Sequence, residues 1–474
     1  MVAIALGAAI GLLPPLYGAA AAAIVGLFLL GLVRPRWPIY LLGLAAPLAS
    51  VREVRIGGVG ISPTEGLVAA ALIAYGLLLL SRREERAQLS PWSAPIALFL
   101  LVGLLSTGWV ASASAAAKEL LRWVELGGAF GLVVALVRDR RQVRTLLGLL
   151  MLGGLAESLL GAVQFLFQIG PPSFAVGRFL RAYGTFGQPN PYGGYLAMVL
   201  PIAVAIVWTH APSVIARARH HGREDRGGTW WLAYALVVAA ATAGGLAMSL
   251  SRGAWIGATV GLLALMMAGG RRSLLTVLVG LFLGSLVALI GAFDLLPASA
   301  VERAASITRY VGIFDVREVT LTSENWAVVE RMAHWQAALN MWAASPWFGV
   351  GIGQYAVRYE DYHLAGWADP LGHAHNYYLN VAAETGLLGL ATYCLMVLSW
   401  LILALWLARR ARRPLARALG LGVLGVVAAT ATHNLFDNLY VAGMNVHLGL
   451  LLGLAASAGR WGLDEGKVLD SPAG

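Results

Sequence analysis

Apolar runs alternate with short polar segments along most of the chain, and this alternation predicts a bundle of membrane helices. Most runs approach the roughly 20 residues that a helix needs to cross about 30 Å of hydrocarbon. The fourteen runs cover residues 2–13, 16–33, 38–50, 63–81, 92–111, 116–137, 145–169, 190–209, 229–249, 253–268, 273–293, 376–407, 416–435 and 440–458. Two of them, 2–13 and 38–50, are short, so we expect about twelve transmembrane helices and at most fourteen.

Composition supports the same fold class, an all-α polytopic membrane protein. Of the 474 residues, 59% are hydrophobic and 12% are charged, and the mean hydropathy is +0.73. A soluble domain carries about 25% charged residues. The single cysteine, Cys394, excludes a disulfide framework and a cysteine-rich metal site.

The net charge of +10 reflects membrane topology and does not predict a nucleic-acid partner. The arginines cluster in short loops, each separated from the next by two crossings, as cytoplasmic loops are expected to do. The clusters are Arg34 and Arg36; Arg82, Arg83 and Arg86; Arg138, Arg140, Arg141 and Arg144; Arg217, Arg219, Arg223 and Arg226; Arg271 and Arg272; and Arg409, Arg410, Arg412 and Arg413. Both termini then lie in the cytoplasm, and the loops at 51–62, 112–115, 170–189, 250–252, 294–375 and 436–439 lie outside.

The outer loop 294–375 is far longer than an ordinary connection, which favours a functional role. We therefore divide the chain into four parts: an N-terminal transmembrane bundle (1–293), a large extracytoplasmic loop (294–375), C-terminal transmembrane helices (376–460) and a cytoplasmic tail (461–474). A helix is predicted near 325–343. Its apolar stripe comprises Val328, Val329, Met332, Trp335, Leu339 and Trp342, interrupted by Glu330, Arg331 and His334.

His375 ends this loop where the polar segment enters a membrane helix, a position suited to a general base. A loop histidine without a chemical role is the alternative, and it is the interpretation adopted for His373. Arg252 lies in an outer turn between apolar runs, where it either binds phosphate or extends to lipid headgroups. Arg331 is either a second phosphate ligand or a surface charge.

Two further polar groups fall on the outer side. Arg178 and Arg181 precede a segment rich in glycine and proline, 183–195, which forms either the irregular wall of a cavity or an ordinary turn. His433 and Asp437 are four residues apart, so both are expected on one side of a helix end, as a proton-transfer pair or as a local cap. Besides His375, four separated polar groups therefore converge on one face of the membrane.

With these motifs the chain resembles the bacterial O-antigen ligase and polymerase family. The pattern that carries the resemblance is His375-Asn376, then residues 377–385, then Gly386. The supporting motifs are Ser251-Arg252-Gly253-Ala254, Gly184-Thr185-Phe186-Gly187-Gln188-Pro189-Asn190, Arg331 with Trp335, Ser345-Pro346, Gly349-Val350-Gly351, and His433-Asn434-Leu435-Phe436-Asp437. They cover roughly residues 175–440.

The resemblance implies an inverting glycosyltransferase of the bacterial inner membrane whose active site faces the exterior. The donor would be a glycan on undecaprenyl diphosphate, and the acceptor a hydroxyl of a glycan or glycolipid such as lipid A-core. It implies His375 as general base and Arg252 and Arg331 as diphosphate ligands, with no metal and no cofactor. Asn376, His433, Asp437 and Asn190 would support the site.

Three other functions are considered beside this one. Polymerases and protein O-oligosaccharyltransferases belong to the same family and differ in the acceptor. A polysaccharide or lipid transporter would need charged groups in mid-membrane along a pathway and a repeat between halves. Lys118, Glu119, Glu125 and Glu157 are the residues that favour a transporter.

Overall fold

The computed structural model describes residues 15–45, 47, 54–56, 59–81, 89–219, 226–270, 316–322 and 325–463 as a bundle of α-helices. Two small antiparallel hairpins accompany it, β1 (Val54–Ile56) with β2 (Val59–Ile61) and β3 (Ala175–Val176) with β4 (Phe179–Leu180). Both hairpins fall in loops predicted to lie outside. The α-helices of the described residues are α1 (Pro15–Val33), α2 (Trp37–Ala45), α3 (Pro63–Ser81), α4 (Ala94–Leu105), α5 (Ala113–Leu136), α6 (Arg140–Leu166), α7 (Pro189–Arg219), α8 (Arg226–Met248), α9 (Arg252–Gly269), α10 (Trp326–Ala344), α11 (Tyr355–Tyr362), α12 (Tyr377–Arg410), α13 (Pro414–His433) and α14 (Met444–Gly462).

Within the described residues, eight helical stretches are long and apolar enough to cross a membrane, which confirms the predicted all-α polytopic class. The runs 2–13 and 273–293 and the boundary at 293/294 lie outside the described residues. The total of about twelve spans therefore stays a prediction. The eight stretches are 63–81, 91–109, 140–166, 189–216, 227–248, 252–269, 377–410 and 414–433.

Glycines bring three helices, α7, α9 and α13, into close contact. A Cβ atom on Gly261 of α9 would lie 2.4 Å from the carbonyl oxygen of Gly425 on α13, and one on Gly257 would lie 2.8 Å from that of Ala429. Small residues at such crossings allow the van der Waals packing that drives helix association in lipid. These closely packed helices support the outer face of the bundle.

Helix α12 is broken near its outer end, at Gly386, where φ is 66° and ψ is −163°. A side chain there would be strained and would also meet the backbone of Trp347 at 2.2 Å. The outer segment 346–351 lies in the break and replaces its missing helical hydrogen bonds. Leu387 N–H donates to Pro346 O (2.8 Å), Val350 N–H to Ala383 O (2.9 Å) and Gly351 N–H to Glu384 O (2.8 Å).

The buried carboxylate of Glu384 attaches the rest of the outer loop to α12. Its two oxygens accept hydrogen bonds from Gly353 N–H (2.9 Å) and Tyr355 N–H (3.0 Å) at the start of α11. The loop is thus anchored both by main-chain bonds in the break and by this side chain.

The helix predicted in the loop is confirmed as α10, which ends at the cap Ser345 and packs on α12. The predicted apolar stripe is partly wrong. Leu339 is exposed, whereas His334 is buried, because Tyr355 provides hydrogen bonds for its ring and its carbonyl group. The buried face comprises Val329, Met332, Ala333, His334, Ala337, Ala338 and Met341.

Candidate functional site

Five elements meet at one end of the bundle and bring together the polar side chains predicted from sequence. They are the start of α7, the start of α9, α10, the turn that enters α12, and the turn that follows α13. We call the side chains of His373, His375, Asp437, Asn190 and Arg331 the outer cluster.

His375 occupies the left-handed backbone region, with φ of 52°, which few residues other than glycine adopt. Side chains hold its backbone from both sides. Its N–H donates to Nδ1 of His373 (3.0 Å), and its carbonyl oxygen accepts from Nε1 of Trp335 (3.3 Å). The imidazole of His375 is therefore presented from a fixed turn.

Asn376 follows at the N-cap of α12, where its Oδ1 accepts from Leu379 N–H (3.1 Å). The nine residues 377–385 form the helical segment between this cap and the break at Gly386, two and a half turns long. The spacing that carried the family resemblance thus corresponds to a physical length. It fixes how far the His375 turn stands from the break that receives the outer loop.

Asp437 is the carboxylate of the outer cluster. Its Oδ1 lies 3.6 Å from Nε2 of His373 and 3.8 Å from Nδ1 of His375, both longer than hydrogen bonds. The same oxygen accepts from Asn438 N–H (2.9 Å), and Oδ2 accepts from Nδ2 of Asn190 (3.2 Å). Burial alone would raise the pKa of Asp437, but the facing histidines and Arg331 lower it, so the group is ionised at neutral pH.

The position of Asp437 corrects one prediction. Helix α13 ends at His433, and Asp437 lies in the turn beyond it, so the two residues do not share a helix face. Asn434 caps the helix and redirects the chain, since its Oδ1 accepts from Leu439 N–H (2.9 Å). His433 is buried against Gly194 and Gly253, where a Cβ atom would lie 3.3 Å and 2.8 Å from its ring.

The orientation of Asn190 is fixed by its neighbours. Its Oδ1 accepts from Nη2 of Arg181 (2.7 Å) and from Oγ of Ser251 (3.0 Å), which leaves Nδ2 to donate to Asp437. Arg181 also donates through Nε to Ser249 O (2.8 Å). In the sequence, Arg181 is recognisable only as a charge ahead of segment 183–195. A cation just before an irregular helix entry is the sequence feature that could have predicted its contact with Asn190.

The hydrogen bonds assign the proton of His373. Nδ1 accepts from His375 N–H, so it carries the lone pair, and the proton resides on Nε2 and faces Asp437. Burial lowers the pKa of His373, and it lowers the pKa of His375 to about 3 with a further contribution from His373. Both rings are therefore neutral at pH 7.

His334 was not predicted as part of the site, yet its ring stands edge-on to His375 with centroids 5.6 Å apart. The hydroxyl of Tyr355 donates to His334 O (3.1 Å) and so accepts from Nδ1 of His334 (3.1 Å). Burial lowers the pKa of His334 to about 4. Because His334 lies within an apolar helical stripe, the sequence gives no sign that it belongs to the site.

The ligand atoms of His373, His375 and Asp437 lie within 4.8 Å of one another, close enough to surround a cation. The arrangement of His373 does not suit a metal ligand. Its Nε2 carries the proton because Nδ1 is already an acceptor, so it offers a cation no lone pair.

Arg331 is the member of the outer cluster that comes from α10, and its charge contributes to the pKa shifts of His373, His375 and Asp437. Its Nε is buried, and no described residue accepts a hydrogen bond from it. Arg252 is the first residue of α9, and its neighbours Ser251 and Gly253 contact Asn190 and His433. The structure thus brings the backbone of Arg252 to the edge of the outer cluster.

A comparison with protein families matches residues 235–394 to a family described as O-Antigen ligase. A comparison with curated proteins found no match. The matched segment contains Arg252, Arg331 and His375, while Asn190, His433 and Asp437 lie outside it. The match confirms the resemblance inferred from the motifs: over about a third of its length this membrane protein carries the signature of the O-antigen ligase family, whose members are ligase- or polymerase-type membrane glycosyltransferases.

Proposed function

We propose that this protein transfers a glycan from undecaprenyl diphosphate to a hydroxyl group of lipid A-core or a similar acceptor, on the outer side of the bacterial inner membrane. The observation that carries the proposal is the outer cluster itself. A neutral histidine in a strained turn stands beside an ionised carboxylate and an arginine whose buried Nε–H has no acceptor within the described parts of the chain. Strained backbone conformations cluster at functional sites, and a buried donor without a partner calls for an explanation such as a bound ligand.

His375 is the general base of the proposed reaction. Nδ1 faces Asp437, so the carboxylate favours a proton on this nitrogen and leaves the lone pair on Nε2 for the acceptor hydroxyl. The acceptor oxygen bonds to the anomeric carbon of the donor as its proton passes to Nε2. The separation of 3.8 Å is long for a hydrogen bond, and such contacts often shorten only when substrate binds.

The bond between the anomeric carbon and the diphosphate oxygen breaks in the same step, and undecaprenyl diphosphate leaves with the electron pair. Arg331 and Arg252 bind the diphosphate and stabilise the negative charge that develops on it. The Nε–H of Arg331, for which the described residues provide no acceptor, is a donor suited to this purpose. A diphosphate is already a good leaving group, so two cations and a base suffice without a metal or other cofactor.

The supporting residues hold this geometry. Asn190 orients Asp437, and Asn376 fixes the first turn of α12 behind His375. His433 fills the space between Gly194 and Gly253, which sets the distance between α7, α9 and α13 beneath the outer cluster.

A transporter is less well supported, because the buried acidic groups have local partners. Glu157 accepts from both N–H and Oγ1 of Thr185, and Glu125 accepts from Nδ2 of Asn445. Glu119 pairs with Arg122 one turn along α5. The contacts of Glu157 and Glu125 join a helix to a loop and a helix to a helix, as structural groups in a membrane bundle do.

The proposal is tested by reconstituting the purified protein in liposomes with a glycan on undecaprenyl diphosphate. Two acceptors are offered separately, lipid A-core and a second lipid-linked glycan, and product masses are measured. We expect free undecaprenyl diphosphate in proportion to glycosylated lipid A-core. A product elongated only on the lipid-linked acceptor would identify a polymerase, and glycan movement without release of the diphosphate would identify a transporter.

A further inference from the structure

The histidine two residues before the proposed base has a geometry that an ordinary loop residue does not require. His373 is directed into the outer cluster, with its ring centroid 4.4 Å from that of His375, and its side chain is 23% exposed. Its two nitrogens serve different groups. Nδ1 accepts from the backbone of His375, and Nε2 faces Asp437.

The bond to Nδ1 closes a small ring between a side chain and the backbone two residues on. Asparagine and aspartate form such rings as Asx-turns. Here the ring holds His375 at a φ of 52°, a value that is unfavourable for a residue with a side chain. Without this bond, the N–H of His375 would lose its partner and the left-handed turn would lose one of its two side-chain supports.

The other support is on the opposite side of the same residue. Nε1 of Trp335, from α10, donates to the carbonyl oxygen of His375. The chain on either side of His375 is fixed independently, since Ala374 N–H donates to Oδ1 of Asn380 (3.1 Å) and Tyr377 N–H donates to Asn434 O (2.8 Å). Hydrogen bonds therefore hold the backbone before and after His375. The bond from His373 then determines the backbone conformation of His375 itself.

We infer that His373 is a positioning residue, which holds the backbone of His375 in its left-handed turn through Nδ1 and so aims the imidazole of His375 at the acceptor hydroxyl. The inference rests on the proposed function for its catalytic consequence. His373 itself takes no proton from the substrate, because its lone pair is used by the backbone and its Nε2 already carries a proton.

Two substitutions separate this role from a direct one. Asparagine at position 373 can accept from the N–H two residues on, as in an Asx-turn, but offers no imidazole to Asp437. Phenylalanine retains an aromatic ring and accepts nothing. H373N therefore keeps the turn and H373F loses it.

The experiment measures kcat and the KM for the lipid-linked donor in reconstituted wild type, H373F and H373N, together with hydrogen exchange of the His375 amide. For H373F we expect kcat to fall about 10²-fold, the size of effect that misplacing a catalytic group produces, with an unchanged donor KM and faster amide exchange. H373N should recover most of kcat and the slow exchange. A purely structural role would lower the folded yield and leave kcat per folded molecule unchanged.

Three results would overturn the inference: wild-type kcat in H373F, a kcat for H373N as low as that of H373F, or amide exchange that is the same in all three proteins. If the wild type transfers no glycan, the proposed function fails. The exchange measurement then still decides whether His373 holds the turn.

Discussion

Two regions of this protein require glycine for different structural reasons. Where α9 crosses α13, Gly257 and Gly261 are needed because the neighbouring backbone is too close for any side chain, and both helices remain regular. At the outer end of α12, Gly386 is needed because its backbone leaves the helix and admits segment 346–351. The crossing of α9 and α13 packs the bundle tightly. The break at Gly386 holds the outer loop in a fixed position near His375.

The two regions differ in backbone regularity, and the irregular one lies next to the proposed catalytic residues. The helix crossing uses regular helical backbone on both sides. The outer end collects a broken helix, a histidine with positive φ and a buried arginine nitrogen that has no hydrogen-bond partner among the residues the structure describes. Substitutions in the two regions should therefore fail in different ways, through stability at the crossing and through turnover at the outer cluster.

The largest effect is expected from His375→Ala. Removal of a general base typically lowers the rate about 10²–10⁴-fold, and the fold should persist because the turn is held through the backbone of residue 375. The rate of glycan transfer and the detergent-resistant folded fraction are compared with those of His210→Ala, which alters a histidine on α7. Transfer at the wild-type rate in His375→Ala would remove the base from the account.

Arg331→Ala should come next, with a loss of about 10²–10³-fold in kcat, as when one preorganised donor to a developing charge is removed. Arg331→Lys restores the charge without the planar fork and should recover only part of the loss. Arg178→Ala is the matched control, since the Arg178 guanidinium stacks on Phe179 in the outer hairpin. Equal kinetics for all of these variants would contradict the proposed role of Arg331.

A pair of glycine substitutions tests the two regions against each other. Gly386→Ala combines backbone strain of about 1–3 kcal/mol with an overlap against Trp347, so it should lower kcat by displacing the outer loop. Gly261→Ala overpacks the crossing at a cost of about 1–3 kcal/mol, so it should lower thermal stability and leave kcat per folded molecule near that of the wild type.

Gly244→Ala on α8 is the control for both, because nothing lies within 4 Å of the added methyl group. Thermal unfolding and transfer are measured on all three variants. If both Gly386→Ala and Gly261→Ala lose stability alone, the two regions do not differ in the way described.

The smallest effect concerns pH. An ordinary histidine titrates near pH 6.5, but burial lowers the pKa of His375 to about 3, so its base form persists well below pH 6.5. Transfer should stay nearly constant from pH 8 to about pH 5 and decline only below that. The unfolded chain binds more protons than the folded one between the two pKa values, so stability rises with pH across this window. A half-maximal rate near pH 6.5 would contradict the burial of His375.

Much of the architecture follows from the sequence because it depends on repeated local signals. Apolar runs identified the all-α membrane class, and helical periodicity located α10 within one residue at each end. The convergence of His375, Asp437 and Asn190 was predicted only as a shared side of the membrane. Their contacts depend on two turns and on the start of α7, whose relative placement no periodic pattern specifies.

The parts of the site that sequence analysis missed are those set by side-chain-to-backbone bonds. His373 was interpreted as an ordinary loop histidine, yet its Nδ1 fixes the conformation of the next-but-one residue. His334 was taken as an interruption of an apolar stripe and is instead buried beside His375. The four-residue spacing of His433 and Asp437 predicted a shared helix face, but the helix ends at His433. Sequence spacing alone does not distinguish a continuing helix from a turn that follows its last residue.

The most direct test of the central claim is the configuration of the transferred sugar at its anomeric carbon, determined by NMR of the product and compared with that of the donor. One base and one leaving group at the outer cluster imply a single displacement, so we expect inversion of configuration. Retention of configuration would require a covalent glycosyl-enzyme or a second displacement and would contradict the account.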